Sequence, residues 1–160
     1  MWAVKLMRQI RFMVRNRRYT ACHQLQILKS KYEGSTGICT RGGFEWYFNI
    51  QPKPLSDTYK IKILYRERCF PETYVVSPKP LALADGAEKL PHTYDTKRQQ
   101  LCLFNPNYYE WNSSMLIADT IVHWATMWLV YYENWVLTGK WLGGGHGNWD
   151  AIKEIKKERF

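Results

Sequence analysis

The segment TYKIKILYRE, residues 58–67, constrains the fold of this chain more than any other stretch. An apolar residue occupies every second position, at Tyr59, Ile61, Ile63 and Tyr65. Successive side chains of a β-strand point to opposite faces of a sheet, so a period of two indicates a strand with one buried face. The segment therefore predicts one strand of an antiparallel sheet.

Three further segments around it have the composition and spacing of strands. They are CHQLQILKSKY at 22–32, GFEWYFNIQP at 43–52 and ETYVVSP at 72–78. Glycine or proline turns separate the segments, which is typical of antiparallel strands joined in chain order. The sequence therefore predicts a four-stranded antiparallel meander over residues 22–77.

Helical patterns flank the predicted meander. Residues 2–16 have apolar side chains on one side at helical spacing and basic side chains on the other. A longer helix is predicted to begin near Ser113 and Ser114, which suit a helix N-cap, and to end near Gly139. The segment DAIKEIKKERF at 150–160 favours a short terminal helix.

Residues 78–111 contain four prolines and show no extended helical or strand pattern. A long irregular segment inside a compact domain is often functional. The order of the elements is helix, meander, irregular segment and C-terminal helices. It predicts a single α+β domain over residues 1–160, with the helices segregated from the antiparallel sheet.

The cysteines exclude several classes of site. All four occur singly, with no Cys-x-x-Cys pair: Cys22, Cys39, Cys69 and Cys102. Zinc ligands usually come in close pairs, so no metal site is expected. With no visible secretory signal, we expect reduced thiols and a cytoplasmic location. Asp119 and Glu133 interrupt the apolar run at 115–137, so no membrane span is expected either.

The net charge of +9 would suit nucleic acid, an anionic membrane surface or an acidic protein. The first 18 residues carry six Lys or Arg and no acidic residue. A solvated helix face and a docking face for an acidic partner both explain this pattern. Nucleic-acid binding is disfavoured because no recognisable motif surrounds the residues that would make the contacts, Arg15, Arg17, Arg18 and Tyr19.

The segment LPHTYDTKRQQLCLFNP, residues 90–106, joins a histidine to a cysteine across a polar turn. His92 precedes Cys102 by ten residues, and the cysteine lies within the apolar stretch LCLF. A lone cysteine is most often a small buried hydrophobe. Its position after a polar loop instead favours a nucleophile, because a thiolate is strongly nucleophilic.

This segment, together with YKIKILYRERCFPETYVVSP before it, resembles the ubiquitin-conjugating enzymes. In that family a meander leads into a His-Pro-Asn motif, and the catalytic cysteine follows the histidine by ten residues. Thr93 and Tyr94 stand here at the Pro and Asn positions. The segment 105–146 is similar to a bacterial branch encoded beside cyclic-oligonucleotide synthases in antiphage signalling (CBASS) operons.

The resemblance implies an acyl carrier that uses no metal or organic cofactor. Cys102 would form a thioester with the C-terminus of a partner protein, the cGAS-like nucleotidyltransferase of the operon, and pass it to an amine. A separate activating enzyme could supply the activated C-terminus. In the family the first helix often meets that enzyme, so Arg8 and Arg11 would dock it.

Other residues receive supporting roles from the resemblance. His92 would shape the loop. Tyr94 is either a donor to the oxyanion in place of the family's asparagine or an ordinary surface or packing tyrosine. His146 is either an ordinary loop histidine or a group that helps to deprotonate the incoming amine. Cys22, Cys39 and Cys69 are interpreted as structural. The alternative function is a catalytically inactive binding module of the same fold that regulates the synthase, which the missing asparagine favours.

Overall fold

The computed structural model describes residues 18–143, which form two α-helices and an antiparallel sheet. Helix α1 spans Ala21–Lys31 and helix α2 spans Ile121–Thr138. The predicted α+β class is confirmed. The strands follow one another along the chain as β1 Thr36–Thr40, β2 Gly43–Ile50, β3 Tyr59–Arg66, β4 Glu72–Ser77, β5 Thr93–Asp95 and β6 Gln100–Leu101.

Strand β3 lies inside the sheet, paired with β2 on one edge and β4 on the other. Its four alternating apolar side chains are all buried, while Lys60 and Arg66 are exposed. On β2, Trp46 pairs with Ile63 and carries a fully buried side chain. The period-two pattern therefore predicted this strand and its buried face correctly.

The segment CHQLQILKSKY is helical, so the prediction of a strand there was wrong. The buried residues of helix α1 recur at helical spacing, at Ala21, Gln24, Leu25 and Leu28. The glutamine hid this pattern because a polar residue at a core position makes the segment look alternating. Thr20 caps the helix by accepting a hydrogen bond from the His23 amide.

The number of strands also differs from the prediction. Within residues 18–143 the sheet has six strands rather than four, in the spatial order β1-β2-β3-β4-β6-β5. Strand β1 was missed because four of its five residues are exposed, which leaves no apolar period. Strands β5 and β6, of three and two residues, are too short to show a period and lie in the segment predicted to be irregular.

Helix α2 begins at Ile121, seven residues after the expected cap. The Asn112 side chain accepts hydrogen bonds from both the amide and the hydroxyl of Ser114, which holds a turn in place of a first helical turn. The predicted end is correct. Gly139 adopts φ 70° and its amide donates to the Trp135 carbonyl.

Several predicted features lie outside the described residues. These are the helix at 2–16 with Arg8 and Arg11, His146 and the terminal helix at 150–160. From residue 18 to residue 143, the structure contains no helix with the length and apolar character needed to cross a membrane.

Candidate active site around Cys102

The β5–β6 hairpin explains the spacing between His92 and Cys102. Thr93 pairs with Leu101 across the two strands, so the residues just outside this pair face each other. The Cys102 amide donates a hydrogen bond of 2.9 Å to the His92 carbonyl. The ten-residue interval is therefore the length of a hairpin that returns the cysteine to the histidine.

His92 contributes through its backbone and through ring stacking. Its carbonyl accepts a second hydrogen bond, of 3.1 Å, from the Trp128 indole of helix α2. Its φ of 47° lies in the left-handed region, which a non-glycine residue adopts only where its surroundings hold it. The imidazole stacks on Trp141 with ring centroids 5.0 Å apart. These contacts fix the start of the hairpin against helix α2.

A series of ring contacts connects His92 with the buried side of helix α2. Trp128 lies 5.6 Å from Trp141 and 5.4 Å from Tyr132, and it is nearly parallel to the tyrosine ring. The Tyr132 hydroxyl donates to the Ala82 carbonyl at 3.1 Å. Because Trp128 and Tyr132 lie one turn apart on α2, the helix holds both the start of the hairpin and the segment around Ala82.

Gln99 anchors the other end of the hairpin, and sequence reasoning missed it. The residue is buried and adopts φ 55° at the turn before β6. Its side-chain oxygen accepts from the Leu81 amide at 2.6 Å, and its amide nitrogen donates to the carbonyls of Val75 at 2.8 Å and Pro78 at 3.0 Å. A glutamine in a polar turn gives no sequence signal of such a role.

Tyr94, in β5, is the side chain that contacts the thiol. Its hydroxyl donates to the Phe104 carbonyl at 3.0 Å and also hydrogen-bonds with Cys102. Burial of the hydroxyl and the bond to Cys102 both raise the pKa of Tyr94. The phenol therefore stays protonated at neutral pH, with its hydroxyl beside the sulfur.

The Cys102 thiol is partly buried, and its surroundings hold its pKa above the ordinary value. Burial is the largest cause, because a thiolate loses hydration there. The Tyr94 hydrogen bond lowers the pKa by stabilising the thiolate, while the Glu110 carboxylate raises it. The thiol is consequently protonated at neutral pH, and its reactivity rises as the pH rises.

A cleft with a volume of about 930 Å³ opens above these residues. Its walls come from the hairpin, the segment after Cys102 and helix α2, and they include His92, Tyr94, Cys102, Asn105, Trp135 and Trp141. The structure thus places His92, Tyr94 and Cys102 in the wall of one cleft. A group that enters the cleft can therefore reach the Cys102 thiol.

The remaining cysteines lie elsewhere. Cys22, Cys39 and Cys69 are exposed, so burial gives no support to the structural role expected of them. The sulfur atoms of Cys22 and Cys39 are 3.4 Å apart. Over residues 18–143, no three His, Cys, Asp or Glu side chains come together in a group that could hold a metal ion.

Comparison with known proteins identifies the family. A model of the Type II CBASS E2 proteins matches residues 24–148, which include the sheet, Cys102 and helix α2. A comparison with curated proteins finds no match. The matched range covers most of the 160 residues. The resemblance noted in the sequence is confirmed, and the chain belongs to the Type II CBASS E2 protein family.

Proposed function

We propose that this chain is a thioester-forming acyl transferase with a ubiquitin-conjugating-enzyme-like fold, and that Cys102 is its nucleophile. The observation that carries the proposal is the position of the Cys102 thiol. It borders an open cleft, its backbone is fixed to His92 and a phenol hydrogen-bonds with its sulfur. Membership of an E2 family supports the same chemistry.

The reaction begins with loss of the thiol proton to solvent. The Cys102 thiolate attacks the carbonyl carbon of an activated C-terminus, which is a thioester or an acyl adenylate supplied by another protein. A carbon–sulfur bond forms, and the thiolate or nucleotide leaving group departs with its electron pair. An amine then attacks the thioester, the Cys102 thiolate leaves, and the amine loses a proton as the amide forms.

The partner we propose is the cGAS-like nucleotidyltransferase encoded with Type II CBASS E2 proteins, whose C-terminus would be the acyl group. An activating enzyme that prepares this C-terminus would dock on the basic residues Arg8 and Arg11. His146 would help to deprotonate the incoming amine. No metal or organic cofactor enters these steps.

Replacement of Cys102 tests the proposal directly. After co-expression with the neighbouring synthase, we expect wild type to carry an adduct that a thiol reagent releases, because thioesters exchange with thiols. Cys102→Ser should lose that thiol-labile adduct. Cys69→Ser is the matched control, because its thiol is exposed but lies outside the cleft lining. Equal adduct in both variants would contradict the proposal.

The second candidate is a binding module without catalysis. It is favoured by Thr93 and Tyr94 at the positions where the related enzymes have Pro and Asn, and by the raised pKa of the Cys102 thiol. Such a module would hold the synthase without a covalent bond. A Cys102→Ala variant with full antiphage activity would establish it.

The Tyr94 hydrogen bond predicts an altered pH dependence of Cys102 alkylation. Tyr94→Phe removes the interaction that lowers the thiol pKa, so the midpoint of the iodoacetamide rate profile should move to higher pH. Glu110→Gln removes a charge that raises the thiol pKa, so its midpoint should move to lower pH. Stopped-flow alkylation against pH measures both. Identical profiles for Tyr94→Phe and wild type would show that Tyr94 does not affect the pKa of the Cys102 thiol.

A further inference from the structure

Asn105 lies three residues after Cys102 and lines the same cleft. Its exposed fraction is only 2%. Its backbone amide donates to the Glu110 carboxylate at 2.7 Å. Its side-chain oxygen accepts a hydrogen bond of 2.9 Å from the Asn107 amide, where it caps the 3₁₀ helix Pro106–Tyr108. The first bond holds the backbone of Asn105, and the second restricts the rotation of its side chain.

The bond from Asn107 also decides which way the amide group faces. A backbone N–H needs an acceptor, so the oxygen of the Asn105 amide must point toward Asn107 and the nitrogen must point away. Within residues 18–143, no acceptor receives a hydrogen bond from this nitrogen. Among these residues, no group of the protein uses this donor.

The unpaired nitrogen belongs to a residue of the cleft wall. Asn105 lines the same cleft as Cys102. The side-chain nitrogen of Asn105 is not fully enclosed by the protein. A group entering the cleft can therefore accept its N–H. The Tyr94 hydroxyl is less available, since its one proton is already donated to the Phe104 carbonyl.

We infer that Asn105 is a catalytic residue whose side-chain N–H stabilises the oxyanion formed when Cys102 attacks an acyl carbonyl. The inference rests on the proposed function. As the carbon–sulfur bond forms, the carbonyl electrons move onto oxygen, and a donor already held in position stabilises that charge without reorganising. Tyr94 stands where the family's motif has its asparagine, and Asn105 thus supplies the amide donor that the motif lacks here.

The test compares two reactions of one thiol in a chain carrying Cys22→Ser, Cys39→Ser and Cys69→Ser, which leaves Cys102 as the single cysteine. Acylation by p-nitrophenyl acetate passes through an oxyanion and releases nitrophenolate. Alkylation by iodoacetamide forms no oxyanion. The ratio of the two rates therefore reports oxyanion stabilisation, while a change in thiol pKa or access alters both reactions.

Two variants remove the amide donor and keep an acceptor for Asn107. Asn105→Asp keeps the shape of the side chain. Asn105→Ser is uncharged and a good cap, and its hydroxyl ends one bond short of the position of the amide nitrogen. We expect the acylation-to-alkylation ratio to fall about 100-fold in both, as for other oxyanion donors. Asn107→Ala is the matched control, because it keeps the backbone N–H that orients Asn105 and should leave the ratio unchanged.

The outcomes separate this inference from the proposed function. An unchanged ratio in Asn105→Asp and Asn105→Ser, with wild-type Cys102 readily acylated, would overturn the role of Asn105 and leave the acyl carrier intact. A wild-type Cys102 that is alkylated but never acylated would overturn both. A lower ratio in the two Asn105 variants alone supports the oxyanion role.

Discussion

Trp128→Ala should lower the free energy of unfolding by about 3–5 kcal/mol, the range for truncating a large buried aromatic residue. Trp128 is 4% exposed and packs against Tyr132 and Trp141. The substitution leaves a cavity and also removes the indole N–H that donates to the His92 carbonyl. Urea unfolding followed by circular dichroism measures the change.

Two controls separate the packing from the hydrogen bond. Trp128→Phe keeps an aromatic ring and loses the N–H, so it should cost about 1 kcal/mol for that bond plus a smaller packing loss. Leu137→Ala truncates an 85% exposed residue on the same helix and should change stability by less than about 0.5 kcal/mol. A Trp128→Ala variant as stable as wild type would contradict the packing described for this helix.

Gln99→Ala should lower the free energy of unfolding by about 3 kcal/mol, because each of three buried hydrogen bonds contributes about 1 kcal/mol. The variant leaves the Leu81 amide and the carbonyls of Val75 and Pro78 without their side-chain partner. The hairpin that carries Cys102 would also lose its side-chain bonds to the end of β4, although the backbone bond from the Val75 amide to the Gln99 carbonyl remains. Alkylation of Cys102 should therefore change along with stability.

Gln51→Ala is the matched control for this prediction. Gln51 also donates two hydrogen bonds to backbone carbonyls, those of Pro54 and Ser56, but it is exposed. Water can replace those bonds, so stability should change by less than about 0.5 kcal/mol. Equal losses in the two variants would show that burial of Gln99 is not the source of its effect.

The parts of the fold with a clear period were predictable. Strand β3 buries every second residue, and helix α2 ends at a glycine with positive φ. Helix α1 was misread because Gln24 is fully buried, with its side chain bonded to the backbone of Met115 and Ile117. Those partners lie about 90 residues away in sequence, so no local pattern reveals them.

The site was predictable where it depends on spacing and hidden where it depends on tertiary contacts. The interval between His92 and Cys102 identified the segment, and the hairpin gives that interval its physical reason. Gln99 and Asn105 are ordinary polar residues in the sequence. Their importance comes from burial and from backbone partners that only the folded chain brings together.

Intact-protein mass spectrometry after co-expression with the neighbouring synthase tests the central claim most directly. The account predicts that wild type gains the mass of the synthase, less one water, because the synthase C-terminus is joined to Cys102. A thiol reagent should release this added mass. Cys102→Ser should carry either no adduct or an ester that the thiol reagent does not release. A stable complex with the synthase, without a covalent adduct under any condition, would contradict the account and establish the binding module.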